Sequence, residues 1–233
     1  MFLAAAVPAR AGQRALDVGA GAGVAGLCLL ARVSGLAVSA VEIDSRLAAL
    51  AARNAARNGF AAEFEVIAAD VTAPAKALRE AGLKRESYHH LIANPPFYAE
   101  SKVRAAPDAS RAAAHVMRAG SLAAWVRFFA AMAAPKGMLT LIHRPDGLGE
   151  LLALFDGRFG DIAIFPLFPK TGEPATRIIV QAKKGSRAGT SLLPGLVLHE
   201  ADGRYTPAAE AVLRGGSALE LRRPAGGQSR RER

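Results

Sequence analysis

Four polar residues, each at the end of a short apolar run, divide the first hundred positions almost evenly: Asp17, Glu42, Asp70 and Asn94 lie 25, 28 and 24 residues apart. That interval is about one strand plus one helix. The spacing therefore predicts successive βαβ units, with all four polar groups emerging at the carboxyl ends of parallel strands, the edge where open α/β sheets bind ligands. The apolar runs are residues 14–18, 37–43, 63–69 and 88–93.

Helical periodicity fills the gaps. The first strand runs into glycines and then an apolar helix through about Arg32. A second helix, opened by Asp44 or Ser45, carries Leu47, Leu50, Ala51 and Asn54 at helical spacing and stops at Asn58-Gly59. Farther along, Ser121 is expected as an N-cap. Leu122, Trp125, Val126, Phe129 and Met132 then form one apolar face, ended by Pro135 and Gly137 and read as packing. Strands over 138–143, 162–168 and 175–183 bring the total to seven. The last two are too close for an intervening helix, so they are expected to be antiparallel. From Leu192 the chain reads as a hairpin turning at Asp202-Gly203, followed by a helix with Thr206 as cap and Pro207 at its first position. The expected division is a main domain over 1–187, an appendage over 188–221 and a basic, disordered tail over 222–233 with a net charge of +4.

Composition narrows the functional classes. Hydrophobic residues make up 51% and charged residues 21% of the 233, which suits a globular chain and excludes wholesale disorder. The longest uncharged apolar stretch, residues 18–31, is short of the ~18 or more that a membrane span needs. Met1 to Ala9 has no charged leader, so the cytoplasm is the expected compartment. One cysteine, Cys28, rules out an internal disulfide or a thiolate zinc cage, and no metal is expected. Cys28 itself is read as buried core on the first apolar helix, and His89-His90 as surface or boundary residues. Thirty basic residues against twenty acidic ones give +10, which favours polyanionic partners such as RNA or DNA. An Arg-rich, Ala-rich composition produced by codon bias would give the same excess.

Two segments carry chemistry. In Leu16-Asp17-Val18-Gly19-Ala20-Gly21-Ala22-Gly23 a carboxylate precedes three alternating glycines, where backbone can approach a ligand closely. Gly21, Gly23 and Gly26 also satisfy the G-x-G-x-x-G of dinucleotide-binding folds. Asp17 would repel a pyrophosphate, and suits a ligand that presents a cationic amine. On that reading Glu42 accepts from two ribose hydroxyls, Ile43 packs on an adenine face and Asp70 accepts from the adenine amino group. The alternative for such carboxylates is to cap neighbouring helices.

The second segment is Asn94-Pro95-Pro96-Phe97. Each proline forces the preceding residue out of the helical region, so the segment is stiff and extended. The Asn94 side-chain oxygen and the Pro95 carbonyl can then accept from one planar amino group while Phe97 or Tyr98 stacks on its ring. The basic residues Lys102, Arg104, Arg111, His115 and Arg118 are candidates for phosphate contacts, and His143 and Arg144 for substrate contacts at the end of the fifth strand.

Asp17-x-Gly19-x-Gly21-x-Gly23, Glu42 and Asn94-Pro95-Pro96-Phe97 resemble the S-adenosylmethionine-dependent methyltransferases that modify exocyclic or amide nitrogens. With His115, Ile142-His143-Arg144, 166–169 and Leu198-His199-Glu200, the chain resembles the bacterial tRNA1(Val) adenine-N6-methyltransferase family up to about Leu221. The resemblance implies a Rossmann-like, seven-stranded class I sheet with the last strand antiparallel, S-adenosylmethionine as cofactor and an anticodon-loop adenine of tRNA as substrate. It also implies cofactor contacts from Asp17, Gly19, Gly21, Gly23, Glu42, Ile43, Asp70 and Asn94, and catalytic roles for Asn94, Pro95, Pro96 and Phe97. The match departs at the start. Such relatives carry a glycine-threonine-aspartate segment ahead of the stretch that here begins Met1-Phe2-Leu3-Ala4, so a late start or a shortened chain is expected.

Other acceptors remain open: guanine N2 of ribosomal RNA, DNA adenine or a protein glutamine. So do an NAD(P)-dependent oxidoreductase using Gly21, Gly23 and Gly26, and an inactive RNA-binding module.

Overall fold

The computed structural model describes residues 1–95 and 119–221. Strands β1 (Arg14–Val18), β2 (Ala37–Glu42), β3 (Phe64–Ala68) and β4 (Tyr88–Ala93) are parallel neighbours in the order β3-β2-β1-β4. β5 (Ala133–His143) continues the parallel set beside β4. β7 (Arg177–Lys184) inserts antiparallel between β5 and β6 (Phe159–Phe168). Sequential pairing stops at β1, which lies between β2 and β4. The carboxyl ends of β1 and β4 therefore mark the switch point at which doubly wound sheets take ligands.

Strand alternation sorts the core into two layers. Leu16 and Val18 of β1, Leu91 of β4 and Leu139 and Leu141 of β5 face one side and pack with α4 (Ala75–Glu80), α5 (Ala119–Met132) and α6 (Leu148–Phe155). Ala15, Val38, Ala40 and Ile92 face the other side, under α1 (Phe2–Ala5), α2 (Val24–Arg32) and α3 (Ser45–Arg57). α3 starts where expected because the Asp44 carboxylate accepts from the N–H groups of Arg46 and Leu47. The N-terminal segment is locked down: the buried Gln181 amide donates to the Ala6 carbonyl at 2.9 Å, and Leu219 N donates to Ala5 O.

Several expectations need correction. α5 already includes Ala119, so Ser121 lies inside the helix instead of capping it. Pro135 and Gly137 do not lie in a loop. They belong to β5, whose pairing with β4 shifts register between Tyr88 and His90, and a bulge tolerates a proline there. His90 is not a boundary residue: it is buried within β4 against Gln13. Cys28 is half-buried, not core. The sheet also gains two strands beyond the expected seven. β8 (Thr190–Leu192) and β9 (Leu196–Val197) pair parallel with the outer side of β6 before the Asp202-Gly203 turn and α7 (Pro207–Leu213), capped by Thr206. Among the described residues no helix is long and apolar enough to cross a membrane, and no cluster of three His, Cys, Asp or Glu is placed to hold a metal.

Candidate active site at the carboxyl edge of the sheet

The loop after β1 is held by its own N–H groups. Gly19 and Ala20 donate to the Val41 carbonyl at 2.9 and 3.0 Å, and Gly21 donates to Glu42 Oε2 at 2.7 Å. The other Glu42 oxygen, Oε1, accepts from Asp44 N at 2.9 Å. The buried carboxylate thus joins two loops, and each oxygen keeps a second lone pair for a hydroxyl donor.

The glycines divide by what surrounds them. Gly21 has φ +57° and, among the described residues, nothing within 4 Å of where a Cβ would stand, so its face is open to that extent. A Cβ on Gly26 would strike Phe64 and Val38, and one on Gly23 would crowd Phe64 and Ala51. Those two glycines let α2 lie close to the sheet. A Cβ on Gly19, φ +69°, would meet the Trp125 ring at 2.7 Å, which places that indole over the loop. The helical stripe had assigned Trp125 to the core. It is indeed 92% covered, since its relative exposure is 8%, but it also roofs Gly19. No local pattern in the sequence links positions 19 and 125.

Asp17 is 2% exposed and its Oδ2 accepts from Gly26 N at 2.8 Å. Burial pushes its carboxyl up to about 7; the Gly26 hydrogen bond opposes this and the nearby Glu42 charge adds to it. A carboxyl group therefore already faces the first turn of α2, and the Gly21 N–H points at a second one. A pyrophosphate cradle needs those N–H groups free, so this loop does not suit a dinucleotide.

Ile43 is 68% exposed, next to Glu42. Val24 and Leu47, at the starts of α2 and α3, are also exposed apolar side chains, and sequence reading did not single them out as site residues. Their signal was position: an apolar residue in the first turn of a helix at the ligand edge. Asp70 is exposed, and its Oδ1 accepts from both the N–H and the hydroxyl of Thr72, at 2.8 and 2.7 Å. It thus holds its own turn, and a ligand amino group would meet its remaining acceptor capacity. Asn94 is exposed and Pro95 buried, directly after Ala93, which pairs with Val18. Asn94 and Gly19 therefore flank the switch point from neighbouring strands.

Pro96, Phe97, Tyr98, Lys102, Arg104, Arg111, His115 and Arg118 lie outside the described residues. His143 is buried at the end of β5, its Nδ1 3.0 Å from the Arg144 carbonyl, and its ring fills the space that a Cβ on Gly147 would need. Arg144 is exposed and forms a two-point ion pair with Asp146 at 3.1 and 2.6 Å. The fold thus brings Gly19, Gly21, Glu42, Ile43, Asn94 and Trp125 to one edge, while Gly23, Gly26 and Asp17 support it from beneath.

The model of the methyltransferase small domain matches residues 1–127. The chain belongs to that family. Curated relatives of this methyltransferase include the tRNA1(Val) (adenine(37)-N6)-methyltransferase of Dickeya chrysanthemi, 24% identical over 92% of this chain and 84% of the relative. The protein of the same name from Porphyromonas gingivalis is 27% identical over 84% of this chain and 76% of its own length. Among solved structures, a protein from Agrobacterium tumefaciens described as a predicted O-methyltransferase is 34% identical, with a TM-score of 0.80, and covers 94% of this chain and 97% of its own. The family is one of S-adenosylmethionine-dependent enzymes with the class I sheet seen here, which overturns the oxidoreductase alternative.

Proposed function

We propose that this methyltransferase transfers the methyl group of S-adenosylmethionine to the exocyclic N6 of an anticodon-loop adenine in tRNA, and that it works in the cytoplasm, where that substrate is. The single observation that carries the reading is the placement of Asn94-Pro95 at the β4 end, one strand from the open Gly21 loop. An amide oxygen and a proline carbonyl there suit an acceptor with two N–H hydrogens. The names of the curated relatives supply the nucleotide.

The residues present fit the cofactor. Glu42 keeps acceptor capacity for ribose hydroxyls, Ile43 offers an exposed apolar face for a purine, and Gly21 leaves room for close approach. Asp70 would receive the purine amino group. Asp17 would act mainly by fixing the loop through Gly26, with Gly19 and Gly23 shaping it. When bound, S-adenosylmethionine supplies an electrophilic methyl carbon. The protein's part is to hold the amine in line with that carbon and to draw its lone pair out of conjugation by hydrogen bonds to Asn94 and the Pro95 carbonyl. Pro96 is proposed for its restriction of the residue before it, and Phe97 or Tyr98 as the ring that would stack on the base. No strong general base is needed, because the surplus proton can leave after transfer. The adenine must be splayed from the loop to reach this corner. Lys102, Arg104, Arg111, His115, Arg118 and Arg144 are the proposed RNA contacts; His143, expected from the sequence as a substrate contact, is buried and would act only by supporting Arg144. Main domain 1–187, appendage 188–221 and tail 222–233 remain the proposed division.

The test is nucleoside mass spectrometry of tRNA from a deletion strain, with labelled methyl transfer by the purified protein. Loss of N6-methyladenosine and its restoration in vitro are expected. Unchanged tRNA, with label entering ribosomal RNA, DNA or a protein glutamine, would reassign the acceptor. tRNA retention with no transfer to any acceptor would make the protein an RNA-binding module.

A further inference from the structure

We infer that the cleft between α4 and α5 is a docking track for the phosphate backbone of the tRNA, separate from the methyl-transfer corner. The inference rests on the tRNA reading above and adds a surface to it. The cleft has a volume of about 620 Å³, and its floor is formed by buried apolar groups, among them Leu78, Leu83, Phe128 and Met132. Its rim is cationic: Lys76 and Arg79 from α4, Lys84 and Arg85 from the loop before β4, and Arg127 from α5 all line it and all are exposed.

The balance of charge decides the partner. Among the described residues no acidic side chain lines the cleft. Of the five cations, Lys76 has an exposed partner, Glu80, at 3.9 Å. Arg79, Lys84, Arg85 and Arg127 make no ion pair among the described residues. Glu86 follows Arg85 in sequence but is tied to Lys184 at 2.9 Å. Four unpaired cations around one groove raise the local concentration of a polyanion, and a chain of phosphates is the polyanion this protein's substrate carries. Among the described residues the floor offers no exposed aromatic ring, which suits backbone contacts and not base contacts.

Position links the groove to the reaction. Val71 and Thr72 line its upper end and directly follow Asp70 at the carboxyl edge of β3. α5 serves both places, with Trp125 over Gly19 and Arg127 on the groove rim two residues later. A strand of RNA in the groove is therefore led to the edge where Asn94 stands.

The experiment compares full-length wild type with Arg79→Ala, Lys84→Ala and Arg127→Ala. tRNA affinity is measured over a range of salt concentrations, alongside S-adenosylhomocysteine affinity and the unfolding midpoint. Each substitution is expected to weaken tRNA binding about five-fold near 0.1 M salt and to flatten the slope of log affinity on log salt by about 0.7 to 0.9. Cofactor-product affinity and unfolding should not change. If wild type binds and methylates tRNA while all three variants keep its affinity and slope, the docking track is wrong and the proposed function stands. If wild type neither binds nor methylates tRNA, both fall. Loss of polyglutamate binding in the variants with tRNA binding intact would assign the groove to an acidic protein and overturn the inference.

Discussion

Glu42 Oε2 accepts the Gly21 N–H at 2.7 Å, so the carboxylate at the end of β2 sets the shape of the loop that follows β1. One side chain thereby joins the backbone that approaches the ligand to the acceptor proposed for the ribose. Glu42→Gln keeps the shape but replaces one accepting oxygen with an NH2 group, which cannot accept from both Gly21 and Asp44. The expected cost of such a buried, charged hydrogen bond is about 1.5–3 kcal/mol, equivalent to at least ten-fold in S-adenosylhomocysteine affinity by calorimetry. Undiminished affinity would remove Glu42 from the site.

Gly21→Ala and Gly26→Ala separate ligand space from packing space. At Gly21 the added methyl meets no atom of the described residues and carries the left-handed backbone cost of about 1–2 kcal/mol. Binding of S-adenosylhomocysteine is expected to fall further than stability does. At Gly26 the methyl strikes Phe64 and Val38, so overpacking of about 1–3 kcal/mol should appear in denaturant unfolding. Equal losses of stability and binding in the two variants would show that the loop does not divide in this way.

Asn94→Ala tests the transfer step. The residue is exposed, so unfolding should shift by less than about 0.5 kcal/mol. Methyl transfer should fall at least a hundred-fold in kcat, far more than cofactor-product affinity falls through any contact that Asn94 makes with the cofactor. Retained kcat would move the amine-holding role elsewhere.

Asp17 and His90 give opposite pH dependences. Burial raises the Asp17 carboxyl from 3.8 to about 7, so between these values the folded state holds a proton that the unfolded state has lost. Its contribution to stability is present at acid pH and lost as pH rises towards 7, by as much as about 4 kcal/mol. Asp17→Asn should be the more stable protein at pH 8 and lose that slope. Wild type being equally or more stable at pH 8 would contradict a buried, protonated Asp17.

His90 works the other way. Burial, with His89 and Arg32 nearby, lowers its pKa from 6.5 to about 4, and its Nδ1 is buried without a partner among the described residues. Its neutral ring suits the fold above pH 6.5, and stability should fall by up to about 3 kcal/mol as pH drops towards 4. His90→Phe should remove that acid sensitivity in urea unfolding at pH 7 and 5. An unchanged difference between the two pH values would show that the ring does not titrate in this window.

Much of the frame was legible because it depends on local signals. β1 and β4 begin and end where the apolar runs do, Thr206 caps the helix it was expected to cap, and of the two expected openers of α3, Asp44 and Ser45, it is Asp44 that caps. The equal spacing of Asp17, Glu42, Asp70 and Asn94 needed only the fixed length of a βα unit. Pro135 and Gly137 misled because their local preference for a turn was overridden by pairing with β4, a partner some fifty residues away. The extra strands β8 and β9 were missed for a related reason: segments of three and two residues acquire strand character only from the open edge of β6.

Taken alone, the order of the amino acids determined the alternation of strands and helices and the glycine loop, since each follows from backbone preferences within a few residues. The tertiary structure decided which groups face a ligand and which face the core. Gly21 lies open while Gly26 meets Phe64, Asp17 turns beneath the loop to Gly26, and Trp125 roofs Gly19 from more than a hundred residues away. Those outcomes depend on the side chains that distant strands and helices bring together, and no spacing along the chain encodes them.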